Sequence, residues 1–218
     1  MVWTGPIIFY LLEGMWTTAL LCVTSVVASL CIGTVLGTLS MVQVAPVRLV
    51  IRLYVEIWRG LPQIVTLFLI FFALPVLHIY VSAFAAAIVG LTLWGSANVA
   101  EIVRGAAQSI PMTQHRATRA LGLTWIQAMT LVVLPQAFRR MLPPLVSFLA
   151  NAIQTSTLAS IIGVLEVLEA GTRVIQRFTF DFGQPHALVI YTVVLAFFFS
   201  ICFPLSRLAS WLERRLIA

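Results

Sequence analysis

The strongest constraint on this chain is a series of long segments without a single charged residue. The longest runs from residue 60 to 100, which is 41 residues, and residues 14–47 form another run of 34. Further uncharged runs cover 120–138, 141–165 and 182–206. One α-helix needs about 20 apolar residues to cross the hydrocarbon core of a bilayer. The sequence therefore predicts an all-α integral membrane protein.

The composition supports a membrane protein and excludes several kinds of chemistry. Apolar residues make up 61% of the chain and charged residues 9%, whereas soluble domains carry about 25% charged residues. All thirteen basic residues are Arg, so the chain lacks the Lys that a P-loop or a Schiff base requires. The basic residues fall between the apolar runs. This placement is typical of loops that set the orientation of a protein in the membrane and not of a surface that binds nucleic acid.

The three Cys residues, at 22, 31 and 202, lie singly inside apolar runs. They show no CxxC spacing and have no His nearby, so they are interpreted as small apolar residues and not as a disulfide or a metal site. The amino-terminal segment lacks a basic region, and the first span is expected to be its own anchor and not a cleaved signal peptide.

The uncharged runs are long enough for five membrane-spanning helices. The 41-residue run holds two of them, divided near Pro75 and a polar patch that contains His78 and Ser82. The predicted spans are 15–41, 62–76, 83–104, 141–160 and 186–206. Residues 1–218 are then a single membrane domain.

The distribution of Arg decides whether residues 120–138 form a further span or a surface helix. Without that span, the amino terminus lies outside, and eleven Arg lie inside against two outside. With it, the split becomes eight to five. Because cytoplasmic loops carry an excess of basic residues, five spans are favoured, with the carboxyl terminus in the cytoplasm.

Small residues recur every four positions along the first span, at Ser25, Ser29, Gly33 and Gly37. They share one helix face and would let a second backbone approach closely. This face could pack against another helix of the same chain or against a second subunit.

The stretch between the third and fourth spans has the start and stop signals of two short helices. Residues 109–111, Ser-Ile-Pro, predict a helix start, and Gly122 predicts its end. Thr124 with Gln127 predicts a capping box that opens a second helix, and Pro135 is expected to bend that helix. The first helix could dock into a groove of another protein or rest on anionic lipid.

The same stretch resembles a known family motif. Residues 116–122 are Arg-Ala-Thr-Arg-Ala-Leu-Gly, and Val-Val-Leu-Pro follows nine residues later at 132–135. This resembles the EAA loop of ABC-importer permeases, with the spacing kept at every step. Flanking phrases are similar to the branch that imports polar amino acids (histidine, glutamate, glutamine, arginine or opines), and they lie at 54–62, 100–105, 108–111, 134–139 and 211–215.

The chain departs from the family pattern in two regions. Arg116 stands where the family has Glu, and Thr118 stands where it has its second Ala. Near the end of the fourth span, Gln154-Thr155 replaces the Lys-Asp pair of many relatives. The first departure bears on the identity of a partner ATPase, and the second bears on the charge of the cargo.

The resemblance implies one half of a pore in a bacterial inner membrane, completed by a second copy or a similar permease. Two cytoplasmic ATPase subunits would bind Mg-ATP, and an external substrate-binding protein would deliver a polar amino acid or a close derivative. Membrane lipid would surround the pore, and neither a cofactor nor a catalytic residue is expected in this chain. The cytoplasmic loop, 105–135, would couple the pore to the ATPase through Arg116, Ala117, Thr118, Arg119, Ala120, Leu121, Gly122, Leu134 and Pro135.

Polar residues inside the spans are the candidates for a translocation path, because such residues usually face a cavity or another helix. The predicted path residues are Asn98, Asn151, Gln154, Thr155 and Ser156. Hydrogen bonding between helices is the alternative role. Glu101 and Arg104 are spaced i,i+3 and predict a structural ion pair at the inner interface. Residues 165–182 predict an amphipathic helix on the outer side.

An ATP-independent transporter or channel is the main alternative function. It would need ionisable residues within the spans to bind a coupling ion, and Glu101 is the one acidic residue near a span interior. An intramembrane enzyme would need a constellation of His, Glu or Asp in the spans, which the sequence lacks. A purely structural subunit would fit the composition, but the ordered loop motif argues against it.

Overall fold

A computed structural model describes residues 5–42, 44–183 and 186–216. These residues form helices and connecting turns, with no β-strand among them, which confirms the predicted all-α fold. The α-helices are α1 (Gly5–Leu39), α2 (Ala45–Gly60), α3 (Gln63–Phe68), α4 (Ala83–Gln108), α5 (Met112–Ala120), α6 (Trp125–Ala128), α7 (Leu134–Thr155), α8 (Val167–Phe182) and α9 (Ala187–Leu216). Two π-helical turns, Leu69–Ala73 and Met129–Val133, and two 3-10 segments, Leu74–Leu77 and Ser156–Ile162, extend them.

Four helical stretches are long and apolar enough to cross a membrane by themselves. They are Ile7–Leu39, Ala83–Gln108, Ile126–Ile162 and Ala187–Leu216. The fifth candidate crossing is a pair of helical segments, Ala45–Gly60 and Gln63–Leu77, with a bend of 103° between them. Only the second segment coincides with the predicted span 62–76. The five predicted passes are therefore present when the bent pair counts as one.

Several helices extend beyond the predicted membrane spans. α1 begins ten residues before position 15, and α9 continues ten residues past position 206, because a helix does not stop where the hydrocarbon ends. The predicted fourth span, 141–160, is the outer part of a continuous stretch, Ile126–Ile162. Pro135 does not interrupt this stretch: it lies in the first turn of α7, directly after a π turn, where a proline is tolerated.

α1 and α4 form the closest helix pair in the bundle. A Cβ added at Gly33 would lie 2.5 Å from the Cβ of Val99, and one added at Gly37 would lie 2.7 Å from the Cβ of Val103. Because 33 pairs with 99 and 37 with 103, the two helices run in the same direction. The small-residue face predicted on the first span therefore packs within the chain.

The remaining helices pack around α4 and α9. α7 runs antiparallel to α4, since Trp94 packs on Phe148 at 5.8 Å between ring centroids while Arg140 donates to the carbonyl of Ser109 at 2.7 Å. α7 also packs along α9, and α8 packs on both α1 and α9. The outer amphipathic helix predicted at 165–182 is confirmed as α8.

Candidate functional site

The predicted helix stop at Gly122 is confirmed in atomic detail. Gly122 has φ +71°, a left-handed conformation that only glycine adopts without strain. Its N–H donates to the carbonyl of Arg119, and the N–H of Leu123 donates to the carbonyl of Thr118, both at 3.0 Å. These two bonds make a Schellman motif, which closes α5 and turns the chain sharply.

The predicted capping box is also present. The backbone N–H of Thr124 donates to Oε1 of Gln127 at 2.9 Å, and the N–H of Gln127 donates to Oγ1 of Thr124 at 3.3 Å. The two orphan donors at the start of α6 are thereby satisfied. α5 and α6 are consequently two rigid pieces joined by a short, well-defined turn.

α5 is largely uncovered and lies on the inner side of the bundle. Met112 is 66% exposed and Leu121 is 77% exposed, and Arg116, Ala117, Arg119 and Ala120 are exposed as well. Thr118 is buried, at 3% exposure, and α5 contacts α6 and the π turn Met129–Val133. Leu134 and Pro135 directly follow that π turn, so the structure gathers the predicted coupling residues at one end of the bundle.

A second feature is a polar face on α7. Ser147, Asn151 and Gln154 are exposed, and their i, i+4, i+7 spacing places them on one side of the helix. Thr155 is half-buried and donates its hydroxyl to the carbonyl of Asn151 at 2.7 Å. The sequence analysis missed Ser147, although its position one turn before Asn151 was the available signal.

Ser156 lies apart from that exposed face. It is fully buried and donates its hydroxyl to the carbonyl of Ile153 at 2.7 Å. The structure therefore brings Asn151, Gln154 and Thr155 together near the surface of α7 but keeps Ser156 inside the chain, where its hydroxyl is already bonded.

Asn98 borders a cavity of about 420 Å³ at the inner end of the bundle, between α4 and α7. Its amide donates to the carbonyl of Trp94 at 2.8 Å, one turn earlier. Arg140 and Pro144 of α7 line the same cavity, and helical spacing puts them on the side of α7 that carries Asn151. A polar strip therefore continues outward from this cavity.

Glu101 is the centre of the charged groups beside the cavity. Arg104 donates to both of its carboxylate oxygens, from Nε at 2.9 Å and from a terminal nitrogen at 2.5 Å. Arg59 of α2 lies 3.8 Å away. The predicted Glu101–Arg104 ion pair is present, and Arg59 joins it from another helix, which spacing along the chain could not reveal. In the described ranges, no group of three or more His, Cys, Asp or Glu could hold a metal ion.

The helices form a membrane-spanning bundle. One span carries a polar face, and a short uncovered helix lies on the basic side of the bundle. This arrangement is typical of the membrane-embedded subunit of a transport system. The comparison with known proteins gives the family. Residues 29–218 match the family described as "Binding-protein-dependent transport system inner membrane component". The chain belongs to this family.

Proteins similar to this chain are amino-acid permeases. The glutamine transport system permease protein GlnP of Escherichia coli (strain K12) is 34% identical over 213 residues, covering 97% of this chain and 94% of that protein. The probable amino-acid ABC transporter permease protein YckA of Bacillus subtilis (strain 168) is 34% identical over 193 residues, covering 88% and 83%. A crystal structure of an amino acid ABC transporter with histidines superposes with a TM-score of 0.84 at 30% identity, covering 94% of both chains.

These similarities confirm the family, the multi-pass inner-membrane location and the transport role predicted from the sequence. The chain is a permease subunit of an ABC transporter.

Proposed function

We propose that this chain forms one half of a pore that imports a polar amino acid or a close derivative into the cytoplasm. The observation that carries the proposal is the exposed polar face of α7, with Ser147, Asn151 and Gln154. Polar side chains on a spanning helix are costly in contact with lipid. A second permease chain, identical or similar, is expected to cover this face and enclose a polar path.

The path face also bears on the cargo. The side-chain amides of Asn151 and Gln154 each offer donors and acceptors, so they can bind both the carboxylate and the ammonium of an amino acid. Neither amide carries a charge, which favours a cargo without net charge. Glutamine, the substrate in the name of the Escherichia coli relative, fits this description and is the first cargo to test.

The energy source is proposed to be a pair of ATPase subunits docked on α5. This chain has no Lys and hence no P-loop Lys to hold ATP phosphates, whereas Met112 and Leu121 offer an uncovered apolar surface at either end of α5. Arg116 and Arg119 would meet carboxylates in the ATPase groove, because complementary charge fixes partner and register. A substrate-binding protein would deliver cargo at the outer face, near α8.

The path assignment is tested by uptake of labelled glutamine into proteoliposomes that hold the assembled transporter. Asn151→Ala and Gln154→Ala should each raise KM about five- to tenfold, since one lost hydrogen bond is worth about 1 kcal/mol. Ser200→Ala is the matched control, because its exposed hydroxyl bonds only to the carbonyl of Phe197 on α9. Unchanged uptake in both α7 variants at normal expression would reject the path.

The ATPase partnership is tested by purifying the tagged chain from its native membrane and identifying its companions by mass spectrometry. An ATPase with an intact P-loop should be recovered, and the double variant Arg116→Glu, Arg119→Glu should lose it. The double variant Arg214→Glu, Arg215→Glu makes the same charge change on the same side and should retain it. Absence of any ATPase under gentle extraction would favour ATP-independent transport instead.

A further inference from the structure

The amphipathic helix α2 presents three different faces. Ile51 and Val55 are buried in a cluster with Ala100 of α4. Val50, Leu53 and Ile57 lie on another side and are each about half exposed or more. The third face is basic. A basic helix with an uncovered apolar face is typical of a segment that lies in the membrane interface.

The basic face of α2 borders an open recess of about 730 Å³. The inner end of α1 and the last turns of α4 close its other sides, through residues such as Ser40 and Ala100. This position is the inner side of the membrane, where the positive-inside rule places α2. The charged residues that line the cavity are Arg48, Arg52, Glu56, Arg59, Glu101 and Arg104.

The charges in this cavity do not balance. Glu56 accepts from Arg52 at 2.7 Å, and the Glu101 carboxylate serves both Arg104 and Arg59. Arg48 takes part in no ion pair with any residue that the structure describes. Four guanidinium groups thus face two carboxylates, which leaves an excess of two positive charges in a recess beside the membrane.

We propose that this cavity binds the phosphate-bearing headgroup of an anionic phospholipid from the inner leaflet. Arg presents its N–H groups in a planar fork that matches phosphate oxygens, and basic recesses between membrane helices on the cytoplasmic side suit such headgroups. Leu49 lines the cavity and is itself exposed. It connects the charged recess to the apolar face of α2, along which the acyl chains lie.

The recess adjoins the smaller cavity beside Asn98, with which it shares Arg59 and Glu101, but Ser147, Asn151 and Gln154 of α7 do not line it, and it does not depend on the identity of the cargo. It assigns a role to the excess of Arg on α2, which neither the translocation path nor the coupling segment uses. A bound lipid would neutralise the recess and hold α2 at the depth of the headgroups, beside the 103° bend that leads into the second span.

The test is lipid binding by native mass spectrometry on the full chain, purified with the subunits that accompany it. Delipidated protein is titrated with phosphatidylglycerol and with phosphatidylcholine of the same acyl chains. The wild type should bind phosphatidylglycerol about tenfold more tightly, and Arg48→Gln with Arg52→Gln should remove most of that preference. Arg214→Gln with Arg215→Gln is the matched control and should keep it.

Three further experiments separate the possible outcomes. Arg48→Lys with Arg52→Lys keeps the charge and should retain most of the preference, which shows that the glutamine variant lost charge and not its fold. Inorganic phosphate at tens of millimolar should compete weakly, while Val50→Ser with Leu53→Ser should weaken lipid binding. Full displacement by phosphate would indicate a free-anion site, and equal loss in cavity and control variants would indicate a general charge effect. Either result overturns the lipid site.

Discussion

At the scale of single residues, two glycines allow the central helices α1 and α4 to pack closely. Gly33 and Gly37 of α1 lie so close to α4 that an added Cβ would stand 2.6 Å from the carbonyl oxygen of Ser96 and 2.7 Å from that of Ala100, respectively. Both are backbone atoms of a helix, which cannot move aside as the tip of a side chain can. The contact therefore depends on glycine at these positions.

Gly33→Val should destabilise the chain by about 2–3 kcal/mol, because overpacking of a tight contact forces backbone shifts. Thermal unfolding in detergent measures the effect. Gly60→Ala serves as the control, since a Cβ there meets nothing within 4 Å and its melting temperature should stay near that of the wild type. If Gly33→Val melted like the control, the close packing of α1 on α4 would be wrong.

Glu166 is a second residue whose surroundings dictate its behaviour. It is fully buried, caps the amino end of α8, and accepts the N–H groups of Leu168 at 3.0 Å and Glu169 at 2.8 Å. Burial raises its pKa to about 7, and the two backbone donors offset only part of that effect. Next to it, Thr18 of α1 accepts the N–H of Val167 at 3.0 Å, so α8 is anchored on the first span.

The raised pKa of Glu166 predicts a pH dependence of stability. The unfolded value is 4.5 and the folded value is about 7, so the folded chain holds the proton more tightly. Protonation of Glu166 therefore adds to the free energy of unfolding. This stabilisation is fully present below pH 4.5 and is lost as the pH rises to 7, and its size is at most about 3 kcal/mol. Melting temperatures at pH 5 and pH 8 should differ less in Glu166→Gln than in the wild type.

Glu169→Gln is the control for this pH experiment. Glu169 is the next acidic residue along the chain, and its carboxylate pairs with Arg173 at 2.7 Å near the surface. Its charge is the smallest of the effects on the pKa of Glu166, so the variant should keep most of the pH dependence of the wild type. The buried carboxyl of Glu166 would not be the cause if Glu166→Gln showed the same difference between pH 5 and pH 8 as the wild type does.

At the scale of elements, local signals and long-range ones differ in how well the sequence reveals them. The stop at Gly122 and the capping box of Thr124 were predictable, because each rests on residues within one turn. The continuity of the helical stretch through Pro135 could not be predicted in this way. The two π turns among the described residues each stand directly before a Leu-Pro pair, at 74–75 and at 134–135. The sequence pattern around a proline indicates a helix break and does not reveal such a turn.

The turn between α5 and α6 should be sensitive to substitution at Gly122. Gly122→Ala places a side chain at φ +71°, at a cost of about 1 kcal/mol, and should loosen the joint between the two helices. We expect cargo-stimulated ATP hydrolysis by the assembled transporter to fall severalfold while the chain still inserts and folds.

Gly183→Ala is the matched control for the turn, since Gly183 ends α8 on the outer side at φ +68°. It carries the same local strain away from the proposed ATPase contact and should leave cargo-stimulated ATP hydrolysis near the wild-type rate. Equal loss in both variants would mean that general instability, and not the inner turn, causes the defect.

At the scale of the whole molecule, the number and direction of the passes could be predicted because they depend on sums over the chain. Long uncharged runs set the number, and the placement of Arg set the direction. What could not be predicted depends on pairs of residues from different helices. Arg59 reaches Glu101 across two helices, and the exposed side of α7 is known only once its neighbours α4 and α9 are in place.

If a second permease chain covers the polar face of α7, a probe placed on that face should reach it. Cys22, Cys31 and Cys202 are first replaced by Ala, and Ser147→Cys then carries a thiol-attached photo-crosslinker. Illumination in native membranes should yield a covalent pair of permease chains. Ser200→Cys on α9 is the control and should give little of that product, and equal yields from both positions would argue against the interface.

The stretch Ile126–Ile162 has a mechanical consequence. Its 37 residues make a rod of about 55 Å, well beyond the roughly 30 Å of hydrocarbon it must cross. The rod ends at Gly163, where φ is +87°, and its inner end continues into α6, next to α5. A helix of this length can transmit a small rotation at its outer end into a large displacement at its inner end. A tilt of about 10° about the outer end would move the inner end by about 10 Å. A partner bound to α5 would then be displaced by a similar distance.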